Sequence, residues 1–463
     1  MAQPYQALID DIVAATLKGK IQSKQQVYRM LQAGVEPGSG ELFERALAAT
    51  LVALEPELAP GDDEFKHAKA VRKHRALRTI QGEWQRWQAD NQATAMITGV
   101  EAEILHAPPA ERLFQLVAAL DPNRDHPLSR EQLVQLAKAL KQPSPPDADS
   151  ATEAEPALAT LAEGLEQGLA AWQQLEGEVV GWIYAQGQQI GFSQPGENSG
   201  PWRYWSRVVS HPALQRLFDD LALNQTVTAA GVTAPLGVAD WVAWGVVLQR
   251  LQLALVNWFD RQPYDPQSGK RLSIATFLTF AVVWGQISNR LGQQGQRALA
   301  RGSFQLALQG LRQFANQSYF PLYGGLFTAL SGEPLQALLD YLDQPLQEVA
   351  NTAVKARILT LLGYSQRALG NYSQAQRFHQ QALEVAREAQ DVPCEIASLN
   401  HLSRTCVAQQ DFDAAQGHSQ RALILARQSG DRIGQANALA NLGYSQVAQG
   451  QSQLLEAEQY ETV

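Results

Sequence analysis

From Ala356 onward the chain repeats itself with a period of forty residues. Identical or similar residues stand in register forty positions apart: Leu362 with Leu402 and Leu442, Tyr372 with Phe412, Ala375 with Ala415, and Asp391 with Asp431. Self-similarity at a period of roughly 20–50 residues indicates a stacked-repeat architecture. Each unit is then a helical hairpin that cannot bury its apolar face alone, so neighbouring hairpins must stack.

Small residues recur at fixed places in this repeat. Gly363, and again Gly443, predicts a close approach of the two helices of a hairpin. The second helices carry alanines seven residues apart, which predict flat packing faces: Ala375 and Ala382, then Ala415 and Ala422. Turn-forming pairs stand between the helices: Gly370-Asn371 and Gln410-Asp411.

The pattern resembles the tetratricopeptide repeat (TPR) in its forty-residue form, known from adaptor proteins with kinesin-light-chain-like or GoLoco-binding repeats. Residues 430–443 match that form well, and the resemblance is specific over 356–463. Two weaker units extend it to 288–463, and they are marked by small residues: Gly295 and Ala307, then Gly325 and Ala337. In the first half, the runs 17–31 and 80–87 resemble cyanobacterial proteins that carry such repeats.

The chain departs from the TPR pattern at three positions. His379 and Ser419 stand where the family prefers an aromatic residue in the second helix. Leu455 stands where alanine is expected, which is typical of a capping repeat. The resemblance thus implies an α-solenoid whose last unit differs from the others.

In such repeats the first helices line a concave groove in which partners dock. The resemblance implies a partner-binding surface contributed by three successive first helices: Arg357, Tyr364, Arg367, Asn400, Arg404, Asn437, Asn441 and Tyr444. Arginine and tyrosine are frequent interface anchors, and an asparagine amide can bond a peptide backbone at both edges. The expected partner is a protein segment, either a peptide or a helix, that carries carboxylates. The alternative is a merely solvated face.

The segment 142–156, rich in Pro, Asp, Ser and Glu, has the composition of a flexible linker. It predicts a boundary between a helical N-terminal domain (1–141) and a middle domain (157–287) that precedes the repeats. The middle domain holds eight of the ten tryptophans, and tryptophans at helical spacing are usually core residues. The predicted fold is therefore all-α, with two helical domains followed by a TPR-like α-solenoid.

Composition narrows the possible surroundings and partners. The net charge of −9 argues against general nucleic-acid affinity. Two cysteines are too few for a disulfide framework and favour a reducing compartment, so we expect a cytoplasmic protein. The most apolar run, 272–284, is thirteen residues long, shorter than the ~20 that span a bilayer. The basic run 66–78 is interpreted as a solvated helix face, although peripheral membrane contact stays open.

No nucleotide-binding, hydrolase or zinc motif occurs in the sequence, so we expect no enzymatic activity, no cofactor and no metal. The segment 121–132 resembles a calcium loop, but His126 replaces the required glycine and Gln132 replaces the bidentate glutamate. It is interpreted as a turn in which Ser129 and Gln132 cap the next helix. The alternative function is a helical enzyme or a small-ligand sensor with its pocket in the tryptophan-rich middle domain.

Overall fold

A computed structural model describes the chain over most of its length, in the ranges 5–35, 39–58, 64–141, 158–185, 200–223, 236–262, 266–323, 346 and 349–461. Within these ranges the regular structure is helical and contains no strand, so the predicted all-α class is confirmed. The chain forms two compact units, Met1–Ala102 and Glu103–Val463.

The first unit packs short helices against the long helix α4. Its elements are α1 (Gln6–Leu17), α2 (Lys24–Gly34), α3 (Gly40–Leu54), a short 3-10 helix (Glu55–Leu58) and α4 (Glu64–His106), whose last residues belong to the second unit. Phe43 and Trp84 meet in the core, with 4.4 Å between ring centroids. The cations Lys69, Arg72 and Arg75 of α4 are exposed, as a solvated helix face requires.

The second unit begins with two short helices, α5 (Pro109–Ala119) and α6 (Arg130–Leu140). Ser129 and Gln132 form the predicted capping box at the start of α6, in which each side chain bonds the other's backbone N–H. This interaction satisfies two of the donors that a helix N-terminus leaves without an intrahelical partner.

These two helices pack with the later part of the chain. Gln309 donates its amide to Val117 O at 2.9 Å, and Lys141 pairs with Glu166 at 2.5 Å. The compact units therefore divide within α4, rather than at the predicted boundary after residue 141. The predicted linker 142–156 lies outside the described residues.

The middle of the second unit is a bundle of α7 (Leu158–Leu175), α8 (Gly181–Ala185), α9 (Pro201–Val208), α10 (Pro212–Ala222), α11 (Val238–Asp260), α12 (Pro266–Gln293) and α13 (Arg297–Ala315). Two glycines let α7 lie directly against the backbone of α11. A Cβ atom at Gly164 would lie 2.6 Å from Ala239 O, and one at Gly168 would lie 2.8 Å from Val246 Cβ. Neither distance leaves room for a side chain.

The tryptophans of this bundle form its interior, as predicted. Seven of the eight are buried: Trp172, Trp182, Trp202, Trp205, Trp241, Trp244 and Trp284. Trp258 is half-buried. Burying a large aromatic side chain is among the strongest stabilising contributions available to a core.

Helix α12 is longer than the thirteen-residue apolar run that the sequence shows at 272–284. Within the described ranges, its span Gln267–Gln293 is long and apolar enough to cross a membrane, and 72% of the apolar window is buried inside the protein. The core helix of a soluble protein passes the same test, so the described residues contain no clear transmembrane segment.

The C-terminal stack consists of α14 (Ala353–Ala368), α15 (Tyr372–Glu388), α16 (Val392–Ala408), α17 (Phe412–Ser429) and α18 (Arg432–Glu461). Turns of two or three residues join them. Each helix packs on the next one along the chain, and the first helices of the hairpins also pack side by side, α14 on α16 and α16 on α18. The turn residues Gly370 and Gln410, forty positions apart, both have positive φ (83° and 64°). The turns predicted at these positions are confirmed.

The packing residues of the repeat behave as predicted in the complete hairpins. Ala375, Ala382, Ala415 and Ala422 are fully buried. At Gly363 an added Cβ would lie 2.6 Å from the ring of His379, so the larger side chain on α15 fills the space that glycine leaves. One unit later the equivalent residues are two serines, Ser403 and Ser419, whose hydroxyls bond at 2.7 Å.

Two predictions about the ends of the repeat array need correction. Helix α18 continues past residue 450, forty positions after Gln410, so no described second helix folds back on it. The close helix approach predicted at Gly443 is therefore wrong, since no neighbour lies within 4 Å of its Cβ position. At the other end, the predicted first unit begins inside α12, and Gly295 forms the turn between α12 and α13. Residues 325 and 337 lie outside the described ranges.

Candidate partner-binding surface

The two asparagines expected to hold a partner's backbone bond each other instead. Asn441 Nδ2 lies 3.0 Å from Asn400 O and 3.1 Å from Asn400 Oδ1, and Asn400 Nδ2 donates to Gly434 O at 3.3 Å. Both side chains are buried. Asn400 and Asn441 therefore link α16 to α18, and their predicted role in partner binding needs correction.

We expect Asn441→Ala to lower the free energy of unfolding by about 1–3 kcal/mol, because it leaves the buried oxygens of Asn400 without this donor. Chemical denaturation followed by circular dichroism measures the change. Asn437→Ala is the matched control, since Asn437 is part-exposed and its side chain bonds Ile433 O within its own helix. Equal losses in the two variants would contradict this assignment.

Arg357 is also engaged within the chain. Its Nε lies 2.8 Å from Asp391 Oδ2, and its Nη1 donates to Ala315 O at 2.8 Å. The arginine thus ties the C-terminus of α13 to the turn after α15. We assign it to the internal structure of the stack rather than to a free binding surface.

A segment of the chain itself covers part of the first-helix face. His401 on α16 donates from Nε2 to Leu322 O at 2.7 Å, and the Tyr323 hydroxyl donates to Asp431 Oδ2 at 3.0 Å. His401 is buried, and burial lowers its pKa to about 4. The region around Asn400 and His401 is therefore closed to a partner by the connection that follows α13.

Four of the predicted residues form two cation–aromatic pairs beside this covered region. The Arg367 guanidinium lies 4.9 Å from the Tyr364 ring centre, within α14. The Arg404 guanidinium lies 4.4 Å from the ring centre of Tyr444, which joins α16 to α18. Tyr364, Arg404 and Tyr444 are spaced forty residues apart, so they occupy the same place on three successive first helices.

The charge of this surface resides on its two arginines. Neither Arg367 nor Arg404 forms an ion pair with a carboxylate in the described part of the chain. The pKa of buried His379 is lowered by desolvation, and by the charges of His401 and Arg367. The histidines beneath the surface are therefore neutral near pH 7 and add no positive charge to it.

Apolar side chains continue the surface along α18. Tyr444 is 49% exposed and Val447, one turn further on, is 61% exposed. We define the Arg–Tyr surface as Tyr364, Arg367, Arg404, Tyr444 and Val447. Val447 was missed from the sequence, although it stands forty positions after a buried valine, Val407.

No group of three or more His, Cys, Asp or Glu side chains is placed to hold a metal ion among the described residues. The chain matches no family model and none of the curated proteins with which it was compared.

Proposed function

We propose that the protein is a non-enzymatic, TPR-like adaptor that binds an acidic peptide or helix of a protein partner on its Arg–Tyr surface. The observation that carries the proposal is the pair of arginines, each beside a tyrosine ring and neither neutralised by a described carboxylate. The free, buried thiols of Cys394 and Cys406 favour a reducing compartment, so we place this function in the cytoplasm.

Charge complementarity selects the partner. A segment with Asp or Glu side chains supplies the counter-charges that Arg367 and Arg404 lack among the described residues. Exposed ion pairs contribute only about 0–1 kcal/mol each, whereas truncating one partner of a desolvated, hydrogen-bonded pair costs about 2–5 kcal/mol. Arg367 is half-buried, and its Nε is buried without a hydrogen-bond partner among the described residues, so this guanidinium is partly desolvated before a partner binds.

Shape and exposure favour an extended or helical segment over a small molecule. The surface runs across three parallel first helices, and its exposed apolar part, Tyr444 and Val447, lies on the last of them. A peptide with an apolar residue next to its carboxylates covers both parts. Arginine and tyrosine are enriched among residues that dominate the binding energy of interfaces.

We expect Arg367→Ala combined with Arg404→Ala to weaken binding of an acidic peptide at least about tenfold, or about 1.4 kcal/mol. Peptides are first selected from a random display library on the immobilised full-length protein, and their affinities are then measured by fluorescence anisotropy. The matched control is Arg421→Ala with Arg427→Ala, which removes two exposed arginines from α17. Normal binding by the first double variant, or selected peptides without acidic residues, would reject the proposal.

A further inference from the structure

A separate cavity of about 490 Å³ opens in the middle of the second unit. Its walls come from α7, α10, α11 and α12, with Leu236 and Gly237 just before α11. Small-molecule sites usually have volumes of roughly 300–1,000 Å³ and combine an apolar lining with a few polar groups. This cavity has the right size, and its polar groups can be assigned individually.

Three charged side chains line the cavity and form no ion pair with another described residue. Arg216 and Asp220 on α10, and Arg290 on α12, form no ion pair or side-chain hydrogen bond within the described residues. Burial raises the pKa of the Asp220 carboxyl, and the nearby charge of Arg290 partly opposes that effect. The adjacent carboxylate, Asp219, forms an ion pair with Arg203 at 2.6 Å. The described lining therefore carries a partly buried carboxyl and two cations, none of which forms an ion pair with another described residue.

The other acidic side chain of the lining is already engaged. Asp240 lies in the first turn of α11, where the helix dipole favours negative charge. Its Oδ1 is also 3.6 Å from His211 Nε2, and that nitrogen lies 3.1 Å from Gln167 Oε1. Asp240, His211 and Gln167 thus form a preorganised polar wall, which leaves Asp220 as the available carboxyl among the described lining residues.

Most of the remaining described lining is apolar. Leu217, Ile287 and Leu291 are buried side chains that contribute to the walls. Trp244 lines the cavity too, and its indole N–H has no acceptor among the described residues. Such a lining favours a ligand with an apolar body rather than a fully hydrated ion.

We propose that this cavity binds a small zwitterion with an apolar side chain, of the class of free apolar α-amino acids. The ligand carboxylate faces the guanidinium groups of Arg216 and Arg290, its ammonium group faces Asp220, and its side chain packs beside Trp244. Among the described lining residues two arginines are matched by two aspartates, so this part of the wall carries no excess of positive charge. A nucleotide polyphosphate requires such an excess, whereas a zwitterion does not.

The site is independent of the Arg–Tyr surface, since it involves different helices and different side chains. Its test uses the full-length protein and defined probes. Isothermal titration calorimetry is performed with the apolar L-amino acids from valine to tryptophan, and then with two analogues of phenylalanine. 3-Phenylpropanoate lacks the ammonium group, and phenethylamine lacks the carboxylate.

We expect saturable binding of at least one of these amino acids, with both phenylalanine analogues at least about tenfold weaker than phenylalanine or without measurable binding. Arg290→Met and Asp220→Asn should each weaken amino-acid binding at least about tenfold, while Arg261→Met, an exposed arginine outside the cavity, should leave it unchanged. Circular dichroism verifies that each variant is folded. If Arg290→Met does not fold, Asp220→Asn and the analogue comparison on the unmodified protein decide. Absence of amino-acid binding, or equal binding of the analogues, would overturn the proposal.

Discussion

Ala382→Glu is expected to unfold the C-terminal helical stack. Ala382 is fully buried on α15, within a cluster that includes Leu362 and Phe378. An uncompensated buried charge costs about 3–5 kcal/mol, a large fraction of the roughly 5–15 kcal/mol by which typical domains are stable. Ala422→Glu, forty residues later and equally buried, should have the same effect. Thermal melting followed by circular dichroism tests this prediction, because an unfolded stack shows no cooperative unfolding transition.

The matched control is Ala440→Glu, because Ala440 is exposed on α18. Surface substitutions of this kind usually change stability by no more than about 0.5 kcal/mol. A melting temperature for Ala382→Glu equal to that of the control would show that α15 does not pack through this face. The unfolded variants should also lose the Arg–Tyr surface, since its residues are held in place by the spacing of three first helices.

The repeat helices could be predicted from the sequence because their signals are local and occur more than once. Buried alanines seven residues apart and turn residues forty residues apart define the same hairpin in two successive units. The structure also explains why one pair of facing positions holds different residues in the two units. Gly363 accommodates His379, whereas Ser403 and Ser419 in the next unit bond each other.

The domain boundary could not be predicted in this way. It depends on contacts between residues far apart in the chain, such as Asn123 with Gln309 O at 2.9 Å, which are 186 positions apart. Composition identified a linker-like segment at 142–156 but carries no information about which helices pack on either side of it. Pairing between distant helices is determined by shape and by buried polar bonds, and neither follows a short sequence period.

The same limit applies to the binding surface. Position within the repeat identified Arg404 and Tyr444, which do come together. It could not show that Leu322 and Tyr323 cover His401 and its surroundings, because that connection lies before the specific repeat region, 356–463. For the cavity, the sequence indicated only that a pocket could lie in the tryptophan-rich middle domain. Its lining residues come from four separate helices, and the sequence does not show that these helices meet.

Trp241→Ala is expected to lower the free energy of unfolding of the second unit by about 3–5 kcal/mol, the usual cost of truncating a buried tryptophan. Trp241 is 1% exposed, and its ring lies so close to Gly302 that an added Cβ there would be 2.7 Å away. Its indole N–H also donates to Ser303 Oγ at 2.9 Å, so the variant loses both volume and a buried hydrogen bond.

Trp258→Ala, on the same helix but half-buried, is the matched control and should be markedly less destabilising. Guanidinium denaturation of the full-length variants compares the two substitutions directly. Because Trp244 lies one turn beyond Trp241 and lines the cavity, Trp241→Ala should also weaken amino-acid binding in protein that remains folded. Comparable stability losses in the two variants would show that α11 does not depend on this contact with α13, and that the cavity wall is held by other residues.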